Sequence, residues 1–207
     1  MKVIVLGGFL GAGKTTVLMQ LARYLVNKGK KCENPKDTPV VILENEISSA
    51  GVDNQLLSQA NYTVENIFSG CVCCSSAGLM CDTVRKIEKN YNPDWLIIEA
   101  TGMAYPDEIK KSLIEDNGKD AVILALVDAK KWYRTIRAMK SFVKSQLMDA
   151  NVILLNKIDK VEENELPKLE ESISEFNSEA ILHRICAIEP LEDEFWSNLM
   201  EILDESM

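Results

Sequence analysis

Residues 8 to 15, Gly-Phe-Leu-Gly-Ala-Gly-Lys-Thr, combine glycines with a terminal Lys-Thr pair, a pattern that binds phosphate groups. The pattern follows the apolar run 3 to 6 and precedes an amphipathic segment, as the strand, loop and helix of a P-loop require. Glycines turn backbone N–H groups toward the phosphates, Lys14 reaches the β- and γ-phosphates, and the Thr15 hydroxyl is a ligand for Mg²⁺. A glycine-rich turn without this role is the alternative. The predicted nucleotide ligands are Gly8, Gly11, Ala12, Gly13, Lys14, Thr15 and Thr16.

A second motif, Asn156-Lys157-Ile158-Asp159, follows the apolar run 152 to 155. Ligands of α/β folds bind at the carboxyl ends of strands. The Asp159 carboxylate can accept hydrogen bonds from N1–H and the 2-amino group of guanine, donors that adenine lacks there, so the motif predicts GTP rather than ATP. We expect Asn156 to brace the loop, Lys157 to cover the base and the backbone at Cys186-Ala187 to contact O6. A solvated polar turn is the alternative.

The apolar run 95 to 98 ends in Glu99-Ala100-Thr101-Gly102. Glu99 is placed to hold Mg²⁺ directly or through water, and Gly102 leaves room for its N–H to approach the γ-phosphate. Loss of the γ-phosphate would release this loop, which predicts a switch; a simple strand-end turn is the alternative. Glu46 and Asp53 could each bind Mg²⁺, orient water or lie in solvent. The predicted catalytic residues are Lys14, Glu99 and Gly102.

Three thiols, at Cys71, Cys73 and Cys74, lie within four residues. A cation displaces their protons and stabilises the thiolates together, which favours tetrahedral Zn²⁺, with Co²⁺ or Ni²⁺ as other ions for the same ligands. Three ligands leave one coordination position for water, Glu46 or a client residue, so we expect an exchangeable metal. Packed or redox-active thiols are the alternative.

The remaining cysteines and the only histidine are isolated in the sequence. Cys81 is either a fourth ligand or a buried helical thiol, and Cys32 and Cys186 are single thiols with no predicted role. His183 lies in a predicted strand and is expected in the core.

Short apolar runs alternate with segments of helical periodicity along the chain. Because the runs are apolar throughout, they predict parallel strands covered by helices on both faces. The expected architecture is α/β, a three-layer P-loop NTPase fold with a mostly parallel central sheet, forming one domain over residues 1–207. Strands are predicted at 2–6, 40–43, 95–98, 121–127, 151–155 and 181–186, with a further short one at 62–68. Helices are predicted at 14–28, 76–90, 107–115, 131–147 with a break, 162–176 and 191–203.

Composition narrows the classes of partner. The chain has 32 acidic and 23 basic residues, a net charge of −9, which disfavours nucleic acid. It contains no run of about 18 apolar residues, so we expect no membrane span. The apolar start leads directly into the P-loop without a signal-peptide cleavage site, which predicts a cytoplasmic protein with reduced cysteines.

These motifs follow one another in the order found in a known family. The set resembles the CobW-type metallochaperone GTPases of the SIMIBI class, and its members are Gly7 to Thr16, Asn45-Glu46 with Gly51-x-Asp53, Gly70-Cys71-x-Cys73-Cys74, Glu99-x-x-Gly102-x-x-x-Pro106, Ser145 to Ala150 and Asn156-Lys157-x-Asp159. The resemblance implies a GTPase that couples metal binding to nucleotide-dependent association, including a homodimer, and that delivers metal to a client. Related GTPases insert nickel into urease and hydrogenase.

Three departures from the family pattern concern metal and client. Ile47-Ser48-Ser49 stands where the family usually has Phe-Gly-Glu, which removes a potential acidic metal ligand, and Tyr105 replaces the usual Asp before Pro106. Many members also carry a carboxyl-terminal domain and a histidine-rich stretch, which residues 1–207 lack, so we expect client choice to differ.

We expect slow hydrolysis of GTP to GDP and phosphate, because no residue is assignable as the group that activates water. Two other functions stay open. One is a P-loop ATPase or small-molecule kinase with a structural zinc site, and the other is a passive metal-binding or redox module.

Overall fold

The computed structural model of the chain describes residues 1–29, 38–44, 63–66 and 77–206. In this part of the chain seven strands form one sheet with the order β3-β2-β4-β1-β5-β6-β7, and neighbouring strands run parallel. The predicted α/β P-loop fold with its parallel sheet is confirmed, and the further short strand is present. The strands are β1 (Lys2–Gly8), β2 (Val40–Glu44), β3 (Thr63–Asn66), β4 (Trp95–Glu99), β5 (Val122–Asp128), β6 (Val152–Asn156) and β7 (Ile181–Ile185).

Helices cover both faces of the sheet. They are α1 (Lys14–Lys28), α2 (Ala77–Tyr91), α3 (Pro106–Asn117), α4 (Trp132–Leu147), α5 (Leu166–Ser174) and α6 (Asp193–Glu205). In β1, Val3 and Val5 pack into a core with α2 to α5, whereas Ile4 and Leu6 pack into a second core with α1 and α6. This alternation explains why the strand is apolar at every position, since side chains of a strand point to opposite faces in turn.

Helix α4 contains the predicted break. Met139 has φ −145° and ψ 45°, which are not helical angles, so the helix is kinked at this residue. The two halves of α4 therefore follow different directions across the molecule.

Two expectations differ in detail. The acidic stretch at 162–165 does not belong to a single helix over 162–176: Glu163–Glu165 form a 3₁₀ turn, and α5 begins at Leu166 because Pro167 fits the first turn of a helix. His183 was expected in the core, but β7 is an edge strand and its side chain is only half-buried, against the ring of Phe195.

The parallel order brings the carboxyl ends of four strands to one edge. In the strand register Glu99 of β4 lies beside Leu6 of β1, and Asp128 of β5 lies beside Asn156 of β6. The predicted nucleotide residues are thereby gathered at this edge. Across the described ranges, no helix has both the length and the apolar content that a membrane span needs.

Candidate functional site

The P-loop turns away from β1 at positions that only glycine fits. Gly8 has φ +130°, and a Cβ there would lie 2.6 Å from the Leu126 carbonyl oxygen. Gly13 has φ +104°, and a Cβ there would lie 2.4 Å from Nδ2 of Asn156. Left-handed backbone and close approach both exclude other residue types at these two positions. The loop then leads directly into α1, which begins at Lys14.

Lys14 lies inside the loop that it follows. Its side chain is buried, and Nζ donates a hydrogen bond to the Gly8 carbonyl at 3.1 Å. The ammonium group is thus held over the concave side of the P-loop. This is the position from which a P-loop lysine meets phosphate oxygens.

The two residues predicted to hold Mg²⁺ meet in the structure. The Thr15 hydroxyl donates to Oε1 of Glu99 at 3.2 Å, although 84 residues separate them in sequence. A hydroxyl and a carboxylate are hard oxygen ligands of the kind that Mg²⁺ prefers. The donor set therefore fits this ion.

The switch loop, residues 100–105 after β4, packs against the P-loop. A Cβ on Gly102 would lie 2.8 Å from the Leu10 nitrogen, so the backbones of the two loops are in contact. The hydroxyl oxygen of Thr101 is buried and has no hydrogen-bond partner among the described residues. Buried polar atoms are normally paired, so this hydroxyl is a donor available to a ligand.

Asn156 joins three segments through one buried amide. Nδ2 donates to the Ala12 carbonyl at 2.8 Å, and Oδ1 accepts from the N–H groups of Lys157 at 2.8 Å and Ala187 at 2.9 Å. The predicted bracing role of Asn156 thus has a geometric basis. Because the Ala187 N–H already donates to Asn156, its contact with O6 of a base stays a prediction.

Lys157 lies between the P-loop and β5. It has φ 65°, and its Nζ donates to the Gly11 carbonyl and to Oδ2 of Asp128 at 2.7 Å. Asp128 also accepts from the Lys131 N–H at 3.1 Å. Sequence reasoning missed Asp128; the available signal was an acidic residue at the end of an apolar run, as at Glu99.

Asp159 lies exposed at the rim of this site. Its carboxylate is 2.7 Å from Lys160, and the hydrogen bond from Lys160, with a further one from the Cys186 thiol, lowers its pKa. The group is therefore ionised at neutral pH and can accept two hydrogen bonds. Burial, followed by the neighbouring Asp159, raises the pKa of Cys186, so this thiol is protonated at neutral pH.

Two glutamines to which the sequence analysis assigned no role hold the loops. Gln20 of α1 donates to the carbonyls of Ala187 at 2.8 Å and Glu189 at 3.1 Å, and accepts from the Leu191 N–H at 2.8 Å. Gln146 of α4 is buried; it accepts from the Gly8 N–H at 2.9 Å and donates to the Ala104 carbonyl. Gln146 therefore connects the P-loop to the switch loop.

The predicted transition-metal site lies outside the described residues. This applies to Cys71, Cys73 and Cys74, and also to Glu46, Asp53 and Cys32. Within the described ranges, no group of His, Cys, Asp and Glu side chains could hold a metal ion. Cys81 is buried in α2, where burial raises its pKa to about 11 and its thiol donates to the Ser112 carbonyl. This environment is that of a packed thiol.

The fold and loops define a nucleotide-binding domain of the P-loop GTPase type. The family model described as "CobW/HypB/UreG, nucleotide-binding domain" matches residues 2–184, and the chain belongs to this family. The chain is 33% identical to the zinc chaperone YjiA of Escherichia coli, over 88% of this chain and 57% of that protein. It is 25% identical to the zinc-regulated GTPase metalloprotein activator 1 of Dictyostelium discoideum, over 93% of this chain and 47% of that protein.

Solved structures give the same fold. The hydrogenase maturation factor HypB of Archaeoglobus fulgidus superposes with a TM-score of 0.70 over 97% of this chain and 89% of that chain, at 16% identity. The Zn(II)-bound YjiA GTPase of E. coli superposes with a TM-score of 0.60 over 88% of this chain and 57% of that chain, at 28% identity. The chain thus spans about half the length of the two curated relatives.

Proposed function

We propose that this protein binds and hydrolyses GTP and that its nucleotide state controls the binding and delivery of a transition metal to a client protein or cofactor pathway. The part of this proposal that concerns the nucleotide rests on one observation. The buried Asn156 amide joins the P-loop, the guanine motif and the Ala187 turn. The part of the proposal that concerns the metal is supported by the zinc chaperone YjiA, a relative with the same fold.

Guanine selection is assigned to Asp159. Its ionised carboxylate accepts from N1–H and the 2-amino group of guanine, whereas adenine would leave these acceptors unused. Asp159→Asn should lower GTP affinity roughly a hundredfold and remove most of the preference over ATP. Isothermal titration with both nucleotides measures these affinities. The control is Glu201→Gln, which removes the same charge from an exposed side chain. A P-loop ATPase or kinase would instead show no loss of discrimination in Asp159→Asn.

Hydrolysis is assigned to the phosphate end of the site. Lys14 binds the β- and γ-phosphates, Thr15 and Glu99 hold Mg²⁺, and the Gly102 N–H approaches the γ-phosphate. When bound, Mg²⁺ neutralises charge that develops on the phosphate oxygens. No described side chain is assigned to water activation, which is why we expect slow turnover that a partner or a homodimer accelerates.

The metal cargo is assigned to the thiolates of Cys71, Cys73 and Cys74, with Glu46 as a further ligand. Thiolates take Zn²⁺, and the same set can take Co²⁺ or Ni²⁺. An exchangeable three-thiolate site suits delivery, because a closed four-cysteine site would retain its metal.

The decisive experiment measures zinc affinity by equilibrium competition. It compares the protein loaded with GDP and the protein loaded with a nonhydrolysable GTP analogue. Linked sites typically differ by about 1–3 kcal/mol, so we expect a change of roughly fivefold or more between nucleotides. Cys73→Ser should weaken zinc binding and leave GTP binding intact. Equal zinc affinity with both nucleotides would instead favour the passive metal-binding module.

A further inference from the structure

We propose that a groove beside the P-loop and the switch loop is the docking site for an acidic peptide segment of a partner protein that carries apolar anchor side chains. The groove has a volume of about 570 Å³ and is lined by Leu10, Met103, Lys131, Arg134, Thr135 and Ala138 among others. This volume lies within the range of about 300–1,000 Å³ that is usual for ligand pockets.

One side of the groove is apolar and open to solvent. Leu10 is 77% exposed and Met103 is 57% exposed, and both line the groove. Contiguous exposed apolar side chains next to a concave surface mark interaction sites rather than ordinary surface. The groove is therefore suited to an apolar anchor from another molecule.

The other wall contains Lys131 and Arg134 and belongs to a basic segment. Residues 129–148, which include α4, carry six basic and no acidic residues, on a chain with a net charge of −9; the basic residues are Lys130, Lys131, Arg134, Arg137, Lys140 and Lys144. All six side chains are exposed. Among described residues, only Lys131 has a carboxylate partner, Asp128 at 4.0 Å. The charge complementary to this wall is negative, and the partner must supply it.

The length of the basic wall favours a peptide over a small anion. Before the kink at Met139, residues 132–138 of α4 rise about 10 Å, which an extended chain covers with roughly three residues; further cations lie beyond the kink. The groove presents apolar side chains beside cations. This combination favours a protein partner over nucleic acid, because a peptide can place an apolar anchor side chain next to acidic side chains.

The switch loop forms part of the groove. Gly102 contacts the Leu10 backbone so closely that a Cβ would lie 2.8 Å from the Leu10 nitrogen, and Met103 follows directly. Movement of the switch loop would therefore change the wall and the depth of the groove. This nucleotide dependence rests on the proposed GTP switch; the binding of a peptide to the groove does not.

The test is selection of random twelve-residue peptides on the zinc-free protein, loaded with a nonhydrolysable GTP analogue, with counter-selection on Arg134→Glu and on Ala138→Trp. We expect peptides rich in Asp and Glu with Leu, Met or Phe anchors. In fluorescence anisotropy, each variant should bind the selected peptide at least tenfold more weakly. Lys86→Glu, an exposed lysine on α2 with the same change of charge as Arg134→Glu, should alter affinity less than twofold.

Several results would overturn the proposal: no enrichment of peptides over the two variants, enrichment of basic peptides, or variants that bind the selected peptide as tightly as the unmodified protein. Displacement of the peptide by an oligonucleotide of equal charge would assign the wall to nucleic acid. Loss of a dimer in sedimentation of Arg134→Glu, without peptide binding, would assign it to a second copy of the chain. Thermal melting of both variants verifies their fold. Zinc is absent from the peptide experiments. A failure of peptide binding therefore leaves the result of the zinc competition unaffected, and a failure of the zinc competition leaves the peptide result unaffected.

Discussion

The two ends of the nucleotide site are built in different ways. At the base end, Asn156 and Gln20 hold the loops through six hydrogen bonds between side chains and backbone. At the phosphate end, one side chain bonds the switch loop, from Gln146 to the Ala104 carbonyl. The other bonds of this loop are backbone bonds, such as that from the Ala100 N–H to the Leu6 carbonyl at 3.0 Å, and the Thr101 hydroxyl is buried without a partner among described residues. In the proposed function, the base end selects the nucleotide through loops that side chains fix, whereas the phosphate end, with fewer side-chain bonds, responds to the γ-phosphate.

The largest expected effect comes from removing the clamp at the base end. Asn156→Ala would leave the Ala12 carbonyl and two N–H groups without their partner, which should cost about 3 kcal/mol of stability and most of the affinity for GDP and GTP alike. Urea unfolding and nucleotide titration measure both. Asn164→Ala, an exposed asparagine, is the control. Nearly normal stability of Asn156→Ala would show that the base end is not clamped in this way.

A pair of matched glutamine changes compares the two ends directly. Gln146→Met should cost about 2 kcal/mol, because the Gly8 N–H and the Ala104 carbonyl lose a buried partner. It should also change the ratio of GTP to GDP affinity. Gln20→Met should cost about 1 kcal/mol of stability and lower the affinities for GTP and GDP equally. If the two variants shift the affinity ratio alike, the proposed division between a fixed and a responsive end is wrong.

The Thr101 hydroxyl offers a smaller and more specific test. Thr101→Val removes a buried hydroxyl that has no described partner, so the nucleotide-free protein should keep its stability or gain up to about 1 kcal/mol. If the hydroxyl bonds the triphosphate or its hydration shell, affinity for a GTP analogue should fall roughly tenfold, with GDP affinity unchanged. Thr101→Ser should restore binding. Unchanged affinity for the analogue in Thr101→Val would remove this residue from the phosphate end.

The smallest effect concerns β7, the strand that leads to the Ala187 turn. Arg184 donates to both carboxylate oxygens of Glu170, at 2.6 and 2.8 Å, and this lowers the pKa of Glu170 from its ordinary 4.5. A lowered carboxyl pKa adds stability above pH 4.5, and the contribution is lost as the pH falls through the folded value. Glu170→Gln should therefore cost up to about 1 kcal/mol at pH 7 and less near pH 2.5. An equal cost at both pH values would exclude the ion pair as its cause.

Local patterns predicted the strands and helices of the described residues closely, because burial on both sheet faces and helical periodicity leave direct traces in residue types. The strand predicted at 2–6 is Lys2–Gly8, and the helix predicted at 14–28 is Lys14–Lys28. The burial of the edge strand β7 and the 3₁₀ turn before α5 were less well predicted. Burial of β7 depends on its place in the sheet, which an apolar run does not encode.

The sequence by itself predicted the architecture, which the structure confirms, and the two proposed nucleotide loops, since the P-loop and the Asn156-Lys157-x-Asp159 motif each comprise a few consecutive residues. It also holds the thiol cluster, which stays a prediction because it lies outside the described residues. Only the tertiary structure paired Lys157 with Asp128 and placed Gln146, 138 residues from Gly8, between the P-loop and the switch loop. Such pairs depend on strand order and helix packing, so no local pattern records them.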